Sequence, residues 1–205
     1  IQNTECLGYI ANRNRMMTLT HTPYAISLDD DAHFLGNNSV NSILNYFKDN
    51  PICAVIAFRI YWGQEDISFI PCNESPSRVR GFVGCGHAWR ISHWKQIKPY
   101  PEWFIFYGEE EFASYKLFKK QLEVHYNPKI FIHHRVNINS RKKDNDYLTR
   151  NRRSISSGWY LCFMFVPFKH IPKYWIYSFY SQIRRKLMKG DITIIWILIK
   201  SILDI

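Results

Sequence analysis

Three adjacent carboxylates end an apolar run in the stretch YAISLDDDAHF. Asp29, Asp30 and Asp31 repel one another unless a divalent cation that prefers oxygen ligands, Mn²⁺ or Mg²⁺, neutralises them. Alternate residues of an extended chain point to the same side, so Asp29 and Asp31 form the expected pair. An Asx turn or a helix N-cap is the inert interpretation, and the triplet alone favours it.

Two further groups of residues could carry chemistry. The stretch YGEEEF places Glu109, Glu110 and Glu111 at the start of a predicted helix. A carboxylate there can act as a general base, although the helix dipole also stabilises acidic side chains that have no function. The stretch FIHHRV offers His133 and His134, which point to opposite faces of a strand, so one of the two is expected to serve a given site.

The elements around the aspartates alternate between strand and helix. TPYAISL and ICAVIAFRIYW have the pattern of buried strands, and NNSVNSILNYFKDNP between them predicts an amphipathic helix capped by Ser39. This order predicts a right-handed parallel βαβ unit with the aspartates at the carboxyl end of its first strand, where such sheets bind ligands. A loop-rich stretch with a short strand near Phe82 follows, then a helix over about 109–122 and a strand KIFIHH.

Composition and charge set the class of protein. The 205-residue chain is 46% hydrophobic and 17% aromatic, which is typical of a globular protein. Its five cysteines are scattered without a C-x-x-C pair, so we expect reduced thiols. Thirteen of the 27 Lys and Arg residues follow residue 140, against four of the 17 Asp and Glu residues. This asymmetry predicts that the C-terminal segment meets an anionic surface.

Apolar stretches alternate with the basic clusters of that segment, GWYLCFMFVPF and ITIIWILIKSILDI among them. Both are shorter than the roughly 20 apolar residues of a spanning helix. Flanking basic residues are typical of helices that lie in the membrane interface, and the basic residues here include Arg184, Arg185, Lys186 and Lys189. We expect residues 159–205 to act as a membrane anchor, with helices packed on the protein's own core as the equal alternative.

In this order, the motifs LGYIANRNRMM, YAISLDDDA, GFVGCGHAWR, YPEWFIFYGEEEF, FIHHRV and YLTRNRR resemble glycosyltransferase family two. The likeness extends to bacterial enzymes of the rhamnosyltransferase type, which build surface polysaccharides. It covers residues 1 to about 155. It implies an α/β protein of GT-A fold with a mostly parallel central sheet over residues 1–140, lacking its first βα units, and a helical C-terminal extension over residues 141–205.

The resemblance also implies roles for the acidic and histidine residues. Asp31 matches the direct ligand of Mn²⁺ or Mg²⁺, and Asp29 matches a partner of the nucleotide ribose or of a metal-bound water. The resemblance also places Asp30 among the residues that bind the nucleotide sugar, without a specific contact for it. One of His133 and His134 completes the metal site.

Other positions match the catalytic and nucleotide-binding segments. Glu110 matches the catalytic base and Glu109 its neighbour, although the family usually has Asp at the base position. The segment that lines the nucleotide-diphosphate pocket is matched by Gly8, Arg13 and Asn14. The acceptor loop is matched by Gly84, Gly86 and Arg90.

The implied activity is an inverting transfer of a sugar from a nucleotide-sugar donor to a glycan or lipid-linked acceptor. The implied location is cytoplasmic, at the inner face of the cytoplasmic membrane. The alternative is a noncatalytic fragment, or a module that binds membrane surfaces or polyanions, which leaves the acidic and histidine clusters unexplained. No nucleic-acid-binding motif is recognised, which disfavours a nucleic acid as partner.

Overall fold

The computed structural model describes residues 3–68, 70–104, 106–137, 147–188 and 190–204. The expected boundary near residue 140 and the basic residue Lys189 lie outside these ranges. The helices are α1 (Tyr9–Thr18), α2 (Ser39–Asp49), α3 (Ile91–Trp94), α4 (Glu109–Lys119), α5 (Tyr147–Phe165), α6 (Ile171–Leu187) and α7 (Thr193–Leu203). The strands are β1 (Tyr24–Leu28), β2 (Ala32–Phe34), β3 (Cys53–Trp62), β4 (Ser77–Val79), β5 (Gly86–Arg90) and β6 (Glu123–His134).

In the described part of the chain these strands form one sheet in the order β1-β5-β3-β6-β2, with β4 also paired to β6. The pairing of β3 with β6 is parallel, whereas β5 is antiparallel to both β1 and β3. The short strands β2 and β4 are antiparallel to β6. The α/β class agrees with the prediction, but the expectation of mostly parallel pairing is wrong. Strands β1, β3 and β6 run in the same direction, yet the antiparallel β5 separates β1 from β3.

The start of β5 could not be placed from the sequence, because glycines lie at and just before its first residue. Glycine is a poor strand former, so GFVGCGHAWR predicts a loop with a strand near Phe82. The strand instead begins at Gly86, and Phe82 packs in the core. A Cβ at Gly86 would lie 2.3 Å from Cδ1 of Ile132, so only glycine lets β5 pack at this position.

Helices cover both faces of the sheet. On one face, α2 buries Ile43 and Phe47 against residues of β3 and β6. On the other, α1 and α4 bury Ile10 and Leu117 in the larger core, which centres on Trp89. Burial of each such side chain contributes roughly 1.5–3 kcal/mol, so this packing fixes the sheet edge described below. The expected cap of α2 is shifted by one residue, since Asn38 is the N-cap and Ser39 is helical.

The C-terminal helices divide into two groups. Helix α5 joins the larger core through Leu161, and its Phe165 stacks on Tyr115 of α4. Helices α6 and α7 pack around Trp159 and Ile194 in a separate apolar cluster. The part of residues 159–205 that belongs to α5 therefore packs in the main fold, whereas α6 and α7 lie in the smaller cluster. No helix within the described ranges is long and apolar enough to cross a membrane.

Candidate active site

The sheet register brings the candidate residues to one edge. Strands β1, β3 and β6 run in the same direction, so their carboxyl ends meet there. Leu28, the last residue of β1, pairs with Gly86, the first of β5, so Asp29 and Cys85 follow in adjacent positions. The end of β6 reaches the same edge at His134. Residues distant in sequence therefore meet because of strand pairing.

The acidic triplet forms a tight turn at this edge. The N–H of Ala32 donates to the carbonyl of Asp29 at 3.0 Å, and β2 then pairs with the end of β6. His134 Nε2 lies 2.8 Å from Oδ1 of Asp31 and 3.8 Å from Oδ2 of Asp29. Asp30 is exposed. The turn thus aims two of its three carboxylates at one imidazole, as the alternation of side chains predicts.

The two histidines have different surroundings. Nε2 of His133 donates to the carbonyl of Gly63 at 2.7 Å, and its ring contacts Tyr61. His134, 2% exposed, lies against the ring of Trp62 instead. The sequence leaves the choice between them open, and the structure places His134 beside the aspartates and His133 on the opposite face of β6.

The donor set at this edge fits a divalent cation. One ligand atom each from Asp29, Cys85 and His134 lies within 4.8 Å of the other two. Nδ1 of His134 has no hydrogen-bond partner among the described residues, and Nε2 faces the Asp31 carboxylate. A buried nitrogen without a partner is costly, and coordination of a metal ion would satisfy it. These residues are therefore suited to hold Mn²⁺ or a similar ion.

Arg13 of α1 joins the edge to the glutamate cluster. Its guanidinium nitrogens lie 3.5 Å from Asp29, 3.7 Å from Glu109 and 3.7 Å from Glu110. Nη2 also donates to the carbonyl of Gly84 at 2.8 Å. Arg13 is 7% exposed, so its one positive charge offsets three carboxylates in a poorly solvated position. The sequence assigned Arg13 to the nucleotide pocket, and the structure shows that its contacts are with these acids.

The start of α4 positions the glutamates. Its N-cap, Gly108, has a φ of 90°, and a Cβ there would lie 2.8 Å from Cβ of Ser157, so glycine is required on both grounds. Glu109 is 1% exposed and Glu110 retains partial access, whereas Glu111 is exposed. Three neighbouring acids of one helical turn therefore have three different environments.

Burial changes the acidity of two of these carboxyls. Loss of solvation raises the pKa of Glu109. Burial, and then the charge of Glu109, raise the pKa of Glu110 to about 8. A carboxylate with a raised pKa is a stronger proton acceptor once ionised, and a general base works best when its pKa is near the working pH. Glu110 thus combines partial access with the acidity expected of a base.

Two predicted site residues, Asn14 and Arg90, make hydrogen bonds that hold the fold together. The amide of Asn14 donates to the carbonyl of Tyr100 and to Glu102, and its oxygen accepts from the N–H of Tyr100. Arg90 donates to the carbonyls of Asn50 and Cys53, so it fixes the connection from α2 to β3.

Both predicted glycines flanking Cys85 have close neighbours. Gly86 packs against Ile132, so it belongs to the core of the sheet. Gly84 alone of the predicted acceptor loop lies beside Glu110. Gly8 is the N-cap of α1, where its carbonyl accepts from the backbone and side chain of Asn12.

Two residues of the site were missed from the sequence. Cys85 and His87 both lie within the motif GFVGCGHAWR, of which only Gly84, Gly86 and Arg90 were predicted to belong to the site. Nδ1 of His87 donates to the carbonyl of Val83 at 3.1 Å, and burial lowers the pKa of His87 to about 3. A neutral buried His87 thus holds the turn that carries Gly84 and Cys85.

Gly84→Ala tests this packing. The new Cβ would lie 2.3 Å from Oε1 of Glu110 and 2.8 Å from Nη1 of Arg13. Both atoms are tips of flexible side chains, so we expect the fold to survive and the carboxylate to move. Turnover should fall about 10- to 100-fold with little change in the thermal midpoint. Gly81→Ala is the control, because its Cβ would meet Oγ of Ser114 at an ordinary 3.7 Å. Equal activity of the two variants would contradict the assigned packing.

A large open cleft of about 960 Å³ lies beside the glutamate helix. Val83, next to Gly84, lines it together with Glu111, which is adjacent to Glu110 in sequence. Aromatic and basic side chains form much of the remaining wall, namely Arg78, Arg80, Tyr115, Phe118 and Tyr126. The cleft could therefore contact both the sugar faces and the charged groups of a ligand.

The fold is shared with solved glycosyltransferases. GalNAc-T7 with UDP, GalNAc and Mn²⁺ matches with a TM-score of 0.58 and 12% identity, over 77% of this chain and 34% of that one. The mannosyltransferase PcManGT from Pyrobaculum calidifontis, with GDP-Man and Mn²⁺, matches with a TM-score of 0.58 and 11% identity, over 99% and 55%. TarS from S. aureus, with UDP, matches with a TM-score of 0.50 and 12% identity, over 76% and 46%.

At these identities the likeness establishes the fold, and the predicted GT-A glycosyltransferase fold is confirmed. The chain spans between about a third and just over half of the length of these solved chains. No protein-family model matches the sequence, and no curated protein matches it.

Proposed function

We propose that the protein transfers a sugar, with inversion, from a nucleoside-diphosphate donor to a hydroxyl acceptor in the synthesis of a bacterial surface polysaccharide. The observation that carries this proposal is the meeting of Asp29, Asp31 and His134 at the carboxyl edge of the sheet, with Glu110 held beside them through Arg13. The three solved neighbours are described with UDP or GDP-Man, which supports a nucleotide-sugar donor. The polysaccharide role rests on the order of the sequence motifs.

The chain's own residues provide the chemical step. The acceptor hydroxyl attacks the anomeric carbon, Glu110 takes the hydroxyl proton, and the nucleoside diphosphate leaves from the opposite face. A divalent cation held by the aspartates and His134 would neutralise charge on the departing diphosphate. Arg13 holds Glu110 and Asp29 in one arrangement, since it lies within ion-pair distance of both. One displacement inverts the anomeric configuration without a covalent intermediate.

The cleft beside α4 supports a glycan or lipid-linked acceptor. Its lining includes the rings of Tyr115 and Tyr126, on which sugar faces can stack, and the guanidiniums of Arg78 and Arg80. Arg78 is paired with Glu123 at 2.9 Å, which leaves Arg80 as the better candidate for an acidic or phosphorylated group. Val83 and Glu111 of the cleft's lining are the sequence neighbours of Gly84 and Glu110, so the cleft begins one residue away from the proposed base on both segments.

The test is a transfer assay with a panel of UDP-, GDP- and dTDP-sugars and Mn²⁺, using glycan and lipid-linked acceptors. Proton NMR of the product would report the anomeric configuration. Product of configuration opposite to the donor supports the proposal. Retention of configuration contradicts the single displacement, and failure to bind any nucleoside diphosphate in the presence of Mn²⁺ contradicts the donor class.

We further propose that α6 and α7 hold the protein at the cytoplasmic face of the cytoplasmic membrane. Helix α7 is apolar on all sides, because Ile194, Ile197 and Leu198 are buried while the remaining apolar side chains are exposed. The exposed side chains of the two helices include Ile176, Tyr177, Tyr180, Ile195, Trp196, Ile199 and Leu203. Basic side chains accompany them, among them Lys169, Lys173, Arg184, Arg185 and Lys200.

This combination fits an anionic bilayer surface. Each basic residue near such a surface contributes about 1 kcal/mol, and burial of the exposed apolar side chains adds to it. The proposal also places the enzyme beside a lipid-linked acceptor. Membrane binding without any sugar transfer would favour the alternative of a noncatalytic membrane-surface module.

Three glutamates on the exposed face of α7 test the membrane proposal. In the variant Ile195→Glu, Trp196→Glu, Ile199→Glu, we expect affinity for phosphatidylglycerol vesicles to fall at least about 10-fold, because charge replaces apolar surface. Co-sedimentation measures the bound fraction. The control is Val40→Glu, Leu44→Glu, which places charge at exposed apolar positions of α2. Equal vesicle binding by both variants would refute the role of α7.

A further inference from the structure

The thiol of Cys85 lies in the candidate metal site but has no part in the proposed mechanism. Its sulfur belongs to the group in which one ligand atom each of Asp29, Cys85 and His134 lies within 4.8 Å of the others. Cys85 is 4% exposed and unpaired with any other cysteine. A small buried thiol is most often simple packing material, so its position needs independent support.

Strand pairing and a hydrogen-bonded turn fix the position of Cys85. Gly86 is paired with Leu28, so the antiparallel register places Cys85 across from Asp29. The N–H of Gly86 donates to the carbonyl of Val83, which closes the turn before β5. The sulfur and the carboxylate are therefore held side by side by the same strand pairing that forms the edge.

The buried imidazole of His134 supplies the independent support. It is 2% exposed, one of its nitrogens lies within 4.8 Å of ligand atoms of Asp29 and Cys85, and its Nδ1 lacks a hydrogen-bond partner within the described residues. A buried ring nitrogen without a partner is destabilising unless a ligand satisfies it. A cation at this point would contact nitrogen, oxygen and sulfur together.

The three donor types differ in what they bind. Carboxylate oxygens suit Mg²⁺ and Mn²⁺, whereas a thiolate selects softer ions such as Zn²⁺ and adds little for Mg²⁺. We propose that Cys85 is a further ligand of this metal site and makes it favour Zn²⁺ and Co²⁺ over Mg²⁺. Sulfur coordinates as the thiolate, and its proton passes to solvent. This inference rests on the metal site of the proposed function, and it adds both a ligand and a metal preference.

Cobalt is the probe for the test, because Co²⁺ bound to sulfur gives a near-ultraviolet charge-transfer band that nitrogen and oxygen ligands do not give. The protein carries Cys6→Ser and Cys72→Ser throughout, which removes the two thiols that are not buried. We expect Co²⁺ to give this band together with visible d–d bands. Cys85→Ser should lose the charge-transfer band and keep the visible bands. Cys162→Ser, which removes a buried thiol of α5, is the matched control and should keep both.

Competition titrations give a second measurement. Cys85→Ser should weaken Zn²⁺ binding by about 10-fold or more while Mn²⁺ binding changes much less. Cys85→Ala should behave in the same way, and circular dichroism checks that both variants fold. Cobalt binding with no charge-transfer band would overturn the role of Cys85 and leave the carboxylate and histidine site standing. No Co²⁺ or Mn²⁺ binding by the parent protein would overturn both this inference and the proposed metal site.

Discussion

Glu110→Gln should reduce turnover by about 100-fold or more while the affinity for the donor stays near that of the parent protein. Gln has nearly the same shape as Glu but cannot accept the acceptor's proton. Glu110 is the partly accessible acid of the first turn of α4, and it lies 3.7 Å from Arg13. Steady-state kinetics with a saturating donor, together with calorimetry of nucleoside-diphosphate binding, separate the two effects.

The helix supplies its own control in Glu111→Gln. This residue has the same type and follows Glu110 directly, but it is exposed, so we expect near-normal turnover. Inactivity of Glu109→Gln with full activity of Glu110→Gln would shift the base by one residue. The base works only when ionised, and its pKa is raised to about 8, so turnover should increase with pH through that range. An acid limb near the ordinary glutamate pKa would contradict the assigned environment.

His134→Ala should weaken Mn²⁺-dependent binding of UDP or GDP by at least about 100-fold. The imidazole lies 2.8 Å from Asp31 and 3.8 Å from Asp29, so its removal takes away the nitrogen donor of the proposed metal site. The carboxylates alone would then have to hold the cation against water. Calorimetric titration of the nucleotide with and without Mn²⁺ measures the loss.

The neighbouring histidine gives a matched comparison. His133 is as buried as His134, but its Nε2 donates to Gly63 on the other face of β6. His133→Ala should therefore lower the thermal midpoint to a similar degree while Mn²⁺-dependent binding remains. If His133→Ala loses the metal and His134→Ala keeps it, the assignment of faces at the end of β6 is wrong.

Elements with a clear local period could be predicted from the sequence. Helix α2 and strands β1 and β3 lie close to their predicted places, and β3 is buried as expected, whereas β1 is only half-buried and its Ile26 is exposed. The position of β5 could not be predicted. Its first residue, Gly86, has no room for a side chain because it packs against Ile132, a residue far along the chain. Strand order depends on such non-local packing, so the local pattern suggested a parallel sheet where an antiparallel strand intervenes.

The candidate site shows the same division. The acidic clusters and the histidine pair could be recognised because charged residues at strand and helix ends are conspicuous. The contacts of Arg13, Asn14 and Arg90 could not, since each depends on which backbone segments the fold brings near the side chain. The sequence shows only that an arginine is present, and does not show whether its guanidinium contacts carboxylates or a diphosphate.

The pairing of β1 with β5 bears on the order in which the protein folds. Asp29 and Cys85 meet only after two strands from distant parts of the chain have joined, and His134 arrives through the separate pairing of β3 with β6. Pairings of high sequence separation carry a loop-closure cost and form slowly. We therefore expect the helices to form early and the metal site to be completed late. A cation bound there would then stabilise a sheet that has already formed.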